Sequence, residues 1–141
     1  MDKDDRLIYL LSRAQHRLTE YMKKTYSGAR ISVSPIQAGI LFLLKKNESM
    51  SMSDISQVLG VDNSAITGMV DRLEKGGFVS RMADPHDRRK NMIHITEKGT
   101  IEISRTKALT IKVNSLIKEG FTDAEIDLFK RVLNSFFDKF K

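Results

Sequence analysis

Two short helical stretches with almost nothing between them constrain this chain most. Ser51 to Leu59 opens with a Ser-x-x-Asp pair, Ser51 and Asp54, and carries Ile55, Val58 and Leu59 on one face. Gly60 stops it. Asp62 then caps a second stretch with Ile66, Met69, Val70 and Leu73 at core spacing, and Gly76-Gly77 ends it. Joined only at Gly60-Val61, the pair reads as a helix-turn-helix. The period changes at once. Phe78 to Met82 and Lys90 to Ile95 are short and β-compatible, with the polar, turn-rich segment Ala83-Asp84-Pro85-His86-Asp87-Arg88-Arg89 between them. This predicts a hairpin with a long basic loop, a wing behind the helix pair.

The flanks are helical. Leu7, Leu10, Leu11, Ala14, Leu18, Tyr21 and Met22 recur in steps of three and four, and Ser27-Gly28 closes that helix. Ser34, Pro35 and Gln37 form a capping box with proline at the first helical position. The helix they start is apolar almost all round, from Ile36 to Leu44, which predicts burial against several neighbours. Lys45, Lys46 and Asn47 close it, with the cations at the favourable end of the dipole. Thr96 caps a long helix with Ile101, Leu109, Ile111, Val113, Leu116 and Ile117. Thr122 to Glu125 is a second capping box, opening a last helix with Ile126, Phe129, Val132, Leu133, Phe136, Phe137 and Phe140. So wide an aromatic face must bury somewhere, and a partner subunit is the simplest place.

Composition narrows the function classes. The chain has 141 residues, with 24 Lys and Arg against 18 Asp and Glu, a net charge of +6. That surplus suits an anionic partner without choosing among nucleic acid, acidic membrane and acidic ligand. With no cysteine, disulfides, thiolate zinc sites and a cysteine nucleophile or redox thiol are excluded. The longest apolar run, Ala38 to Leu44, is far short of a membrane helix. The opening Met1-Asp2-Lys3-Asp4-Asp5 is acidic, unlike a secretory signal, so a cytoplasmic protein is expected.

The helical period sorts the second short helix. Ile66, Met69, Val70 and Leu73 face inward. Ser64, Thr67, Gly68 and Asp71 face outward, with Asn63 at the exposed N-terminal end. In a helix-turn-helix this second helix enters the major groove, where small hydroxyl and amide groups approach base edges and phosphates. Arg72 and Lys75 are better placed for backbone contacts. Arg88, Arg89 and Lys90 crowd the loop tip, and an arginine there can enter a narrow minor groove. Asp87 would repel phosphate alone, so its expected job is to orient a neighbouring arginine. The blander alternatives are a polar solvent face on the helix and a solvated charged turn.

Ser51 to Gly99 resembles the MarR family of winged-helix transcription regulators. The resemblance lies in Met52 to Gly60, in Val70 to Arg81, in Asp84-Pro85-His86-Asp87-Arg88-Arg89 and in Ile93-His94-Ile95-Thr96-Glu97-Lys98-Gly99. The last two pieces look like the family's wing signature, with Ile95 where leucine is usual. The number and order of flanking helices match as well. The resemblance implies a mainly α, winged helix-turn-helix fold with a small β-hairpin wing and long N- and C-terminal dimerisation helices. It implies one domain over 1–141, with the DNA-binding lobe at 34–96 and the dimerisation region at 1–30 and 97–141. It also implies a homodimer on pseudo-palindromic double-stranded DNA, often a repressor released by a small aromatic or anionic effector. Carried over by position, Arg88 and Arg89 are wing-tip residues with Asp87 beside them, and Ser64 and Thr67 match recognition-helix positions. Gly68 departs from the pattern, where a larger polar or basic residue is common. It costs about 1 kcal/mol of helix propensity relative to alanine.

The DNA-binding set is therefore Asn63, Ser64, Thr67, Arg72, Asp87, Arg88, Arg89 and Lys90. His16, Arg17 and Arg30 are candidates to pair an anionic effector, against a reading as ordinary surface or interface charge. His16, His86 and His94 lack ligand spacing, so neither a metal nor any other cofactor is expected. Seven methionines leave sulfoxide sensing open. No phosphate-binding glycine loop or catalytic spacing appears, so the chain is not read as an enzyme. The alternative is a winged-helix protein-interaction or architectural DNA-binding module without a ligand switch.

Overall fold

A computed structural model describes residues 6–140. The acidic opening over 1–5 lies outside them. Six helices and three strands follow in order: α1 (Leu7–Gly28), α2 (Pro35–Asn47), β1 (Ser49–Ser51), α3 (Met52–Leu59), α4 (Asn63–Lys75), β2 (Val79–Ala83), β3 (Asn91–Ile95), α5 (Glu97–Lys118) and α6 (Asp123–Lys139). The fold is the mainly helical winged helix-turn-helix that the sequence predicts.

The helix starts sit where the capping residues put them. Ser34 Oγ accepts from Gln37 N–H while Gln37 Oε1 accepts from Ser34 N–H. Thr122 and Glu125 make the same reciprocal pair ahead of α6. Each box satisfies donors that the first helical turn leaves open.

The sheet is larger than a hairpin. β2 and β3 pair antiparallel from Val79↔Ile95 to Ala83↔Asn91, as a wing requires. β1 adds to the other edge of β3, pairing Ser49 with His94 and Ser51 with Met92, so the order is β1-β3-β2. β3 is thereby the central strand, and Ile93 at its middle is fully buried.

The described chain forms two compact units, one up to Leu109 and one from Thr110. The core of the first unites Tyr26, Ile31, Val33, Ile40, Leu41, Leu44, Ile55, Ile66, Val70, Leu73, Phe78 and Ile93. α2 is less enclosed than its composition predicts. Ala38, Ile40, Leu41 and Leu44 are buried, but Phe42 is 53% exposed and Ile36 is exposed as well. Neighbours cover one side of α2, and its apolar residues continue past their edge. The α1 stripe also stays largely open, with Leu7, Leu10, Leu11 and Tyr21 exposed and Ile8 at 83%. In the second unit, α6 buries none of its residues fully, and Phe129, Val132, Leu133, Phe137 and Phe140 are exposed.

The wing is held at its root. Thr96 N–H donates to the Phe78 carbonyl (3.0 Å) and Thr96 Oγ1 to the Gly77 carbonyl (2.6 Å). Thr96 Oγ1 also accepts from Gly99 N–H (3.1 Å), capping α5. α5 starts so close to the Phe78 backbone that a Cβ at Gly99 would collide with the Phe78 carbonyl oxygen and lie 2.7 Å from Ile95 Cγ1. Gly39, inside α2, has open space instead. The two positions should respond to the same change with opposite signs. Gly99→Ala is expected to cost about 1–3 kcal/mol or more through overpacking against backbone. Gly39→Ala should add about 0.5–1 kcal/mol by removing glycine's entropy cost. Urea midpoints of the two variants check this, and equal shifts would contradict the close approach.

Candidate nucleic-acid interface

The turn between α3 and α4 is built from local bonds. Ser51 Oγ accepts from Asp54 N–H (3.1 Å) to cap α3. Gly60 takes the left-handed conformation (φ 67°), which ends α3 at no Cβ cost. Ser56 closes the turn from both ends, its carbonyl accepting from Val61 N–H (3.2 Å) and its hydroxyl donating to the Val61 carbonyl. Asp62 Oδ1 then accepts from Ala65 N–H (2.9 Å) and Ser64 Oγ (2.7 Å), which fixes the start of α4.

Ile66, Val70 and Leu73 are buried, so the opposite face of α4 is the accessible one. Ser64, Thr67 and Arg72 are exposed away from the buried side, and Asn63 is exposed at the first turn. Three of these side chains have local partners. The Ser64 hydroxyl donates to Asp62, and the Thr67 hydroxyl donates to the Asn63 carbonyl (2.8 Å). In this arrangement their oxygens face outward as acceptors rather than donors. Arg72 Nε donates to the Gly68 carbonyl (3.2 Å).

Acidic residues on α4 are neutralised by the wing. Arg81 on β2 pairs through Nη2 with Asp71, and its Nε lies 3.4 Å from Glu74 Oε1. That Nε is buried and makes no hydrogen bond, so the Glu74 approach is an ion pair only. Sequence reading passed over Arg81 as an organiser. The only signal was an arginine on a β-compatible stretch ten residues after Asp71.

The wing loop is a chain of small turns. Asp84 N–H donates to the Lys90 carbonyl (2.9 Å) and Asp84 Oδ1 accepts from His86 N–H (2.9 Å). Asp87 Oδ1 accepts from Arg89 N–H (3.0 Å) and lies 3.4 Å from Arg89 Nε. Asp87 therefore braces Arg89, whose side chain is 92% exposed. Arg88 and Lys90 are exposed beside it.

The three effector candidates are not brought together. His16 and Arg17 are exposed on α1, and Arg30 follows the helix in a left-handed turn (φ 56°). Eleven helical steps at 1.5 Å put Arg17 about 16 Å along the axis from Gly28, where α1 ends, and Arg30 lies beyond that end. Arg105 organises that turn, donating through Nη2 to the Ala29 (3.0 Å) and Arg30 (3.3 Å) carbonyls while pairing with the buried Glu102. A different basic recess lies between α2 and α5, about 340 Å³, with Phe42 and Ile103 along it and Lys45, Lys46 and Lys107 around it. Sequence reading assigned Lys45 and Lys46 to the helix dipole, and nothing linear joins them to Lys107. Among the described residues no cluster of three metal-ligating side chains occurs, and no helix is long and apolar enough to cross a membrane.

The Asp62 carboxyl sits below the ordinary 3.8, chiefly because Ala65 N–H bonds its charged form and then because Ser64 does. A depressed folded value means that the cap stabilises α4 above pH 3.8 and loses that effect as pH falls below it. Asp62→Ala should melt below wild type at neutral pH, with the gap closing under acid. Asp62→Asn, which keeps the acceptor, should not show that closing gap against Asp62→Ala. A pH-independent gap between wild type and Asp62→Ala in thermal melts would contradict the cap.

Known proteins share this fold. The model of the MarR family matches residues 33–90. The HTH-type transcriptional repressor IacR of Pseudomonas putida is 29% identical over 135 residues, spanning 96% of this chain and 80% of IacR. The transcriptional repressor CouR, solved bound to a 23-mer DNA duplex, superposes with a TM-score of 0.82 at 28% identity, covering 92% of this chain and 90% of CouR. Bordetella bronchiseptica BpsR, whose DNA binding is regulated by 6-hydroxynicotinic acid, shares the fold with a TM-score of 0.89 at 20% identity, covering 98% of this chain and 97% of BpsR.

Proposed function

This chain belongs to the MarR family of winged helix-turn-helix transcription regulators, and on that premise we propose a homodimeric repressor of pseudo-palindromic operators, released by a small aromatic or anionic effector. The observation that carries the DNA reading is the pairing of an exposed polar face on α4 with a braced, exposed arginine at the wing tip. α4 enters the major groove, with Asn63, Ser64, Thr67 and Arg72 toward the DNA. Arg88, Arg89 and Lys90 reach the adjoining minor groove or its phosphates, and Asp87 aims Arg89. Arg81 supports this by removing Asp71 and Glu74 as free negative charges.

The apolar faces left open on α1 and α6 support the homodimer. A face with Phe137 at 69% exposure and Phe129, Val132 and Leu133 beside it is larger than scattered surface residues account for. A second copy covers the dimerisation region, 1–30 and 97–141, and the 34–96 lobe reads DNA. Such a protein works in the cytoplasm, on the chromosome. The effector meets the Lys45, Lys46 and Lys107 recess, where an aromatic body lies along Phe42 and an anionic group pairs the lysines. His16, Arg17 and Arg30 act on an effector as one set only where two subunits bring them near each other.

Three outcomes check this reading. Removing both wing arginines (Arg88→Ala with Arg89→Ala) should weaken operator binding about tenfold or more at 0.15 M salt and flatten its salt dependence, with the fold intact. Unchanged affinity or slope in a mobility-shift or anisotropy titration would defeat the wing assignment. The full chain should run at twice 16.1 kDa by light scattering, and Phe137→Glu should shift it toward the monomer. A wild-type monomer would defeat the dimer. Titrating the operator complex with small aromatic carboxylates should release DNA, whereas retention across the panel favours a module without a ligand switch.

A further inference from the structure

The recognition helix carries a gap where its outermost side chain should be. At 100° per residue, Ser64, Gly68 and Lys75 lie opposite the buried Ile66, Val70 and Leu73. Gly68 is thus in the middle of the outward face and has no side chain of its own. Arg72, one turn on and slightly to the side, leans back toward the N-terminus as helical side chains do. Its Nε donates to the Gly68 carbonyl at 3.2 Å. A Cβ built at Gly68 would lie 3.3 Å from Arg72 Nη2, a tight contact, so the guanidinium lies directly against the space a side chain there would enter.

Two further facts leave that guanidinium available. Asp71 and Glu74, its acidic neighbours in sequence, are held by Arg81. Among the described residues Arg72 itself is in no ion pair, and it is exposed. With Nε spent on the backbone, both Nη groups project from a head fixed in direction. A forked pair of donors matches the O6 and N7 acceptors of guanine in the major groove.

We infer that Gly68 and Arg72 form one base-reading unit: the glycine is a notch that lets Arg72 lay its guanidinium across the centre of α4, where it recognises a guanine in each half-site. The inference rests on the DNA-binding reading above and assigns Arg72 to bases, where its place in the sequence suggested the DNA backbone. Gly68 is then a specificity determinant without touching DNA. Any longer residue there pushes the guanidinium aside and presents different chemistry to the groove.

The test is selection of bound duplexes from a random library with the full chain at fixed salt. Affinities of wild type, Arg72→Lys, Arg72→Ala and Gly68→Gln for the selected duplex and its single-base variants follow. Wild type should prefer guanine at one position per half-site, losing about 5- to 100-fold on its replacement. Arg72→Lys and Gly68→Gln should lose that preference and keep the rest of the motif. Arg72→Lys should also keep the salt slope, since its charge remains. Gly68→Gln should melt no lower than wild type, because glutamine is the better helix former. A phosphate role would instead make Arg72→Ala weaken all duplexes alike with a shallower salt slope, while Arg72→Lys retained the motif, and that result overturns the inference. A wild-type motif with no position dependent on residue 72 overturns this inference alone. A wild-type chain that selects no duplex overturns the DNA-binding reading and this inference with it.

Discussion

The placement of the wing depends on one close backbone approach. The chain leaves α4 through Gly76, Gly77 and Phe78 and returns from the wing at Thr96. There Thr96 bonds the Gly77 and Phe78 carbonyls, Lys98 Nζ donates to the Gly76 carbonyl at 2.6 Å, and Gly99 leaves room for the Phe78 carbonyl. Phe78 is buried beneath, with Lys98 4.6 Å above its ring. Both ends of the hairpin are thus fastened to the end of the recognition helix and the start of α5. The root of the wing is rigid, and its tip is a polar loop open to solvent. A rigid root sets the spacing between α4 and the wing, the two elements proposed to contact DNA, while an exposed tip is free to follow a groove.

Charge is arranged by the same connections. A net +6 says little about where an anion would meet the protein. On the lobe, Asp71 and Glu74 are paired by Arg81, and Asp87 braces Arg89. Acidic residues that a linear count sets against the basic ones instead hold cations in place or are held by them. On the faces of α4 and the wing tip, Arg72, Lys75, Arg88 and Lys90 are exposed and in none of these ion pairs. Ion pairs at such exposure contribute little to stability, so their effect lies in geometry and in the local potential.

Much of the fold was legible because its signals are local. Ser34, Ser51, Asp62 and Thr122 each accept a backbone N–H three residues on, and spacing alone reveals that chemistry. β1 was not legible. Three residues show no period, and Ser49 to Ser51 is a strand only because β3 has a free edge beside it. The apolar run of α2 predicted burial on all sides, yet hydrophobic content does not say how far neighbours extend, and Phe42 lies beyond them. In the site, outward positions on α4 were readable from the helical period, but their hydrogen-bond states were not. Ser64 and Thr67 direct their hydroxyl protons to Asp62 and Asn63, and Arg72 turns to Gly68 rather than away from the helix. Arg81 and Lys107 were missed because the residues they work with are remote in sequence or on another element.

The central claim is that two winged lobes of a dimer grip one DNA site through α4 and the wing tip together. Hydroxyl-radical footprinting of the full chain on its selected operator tests it most directly. The account predicts protection with two-fold symmetry, the half-sites centred one helical turn, about 10 bp, or a small multiple of it apart. Within each half-site, protection of the minor groove should flank the major-groove segment covered by α4. A single unpaired footprint, or uniform protection along the duplex with no centre of symmetry, would contradict it.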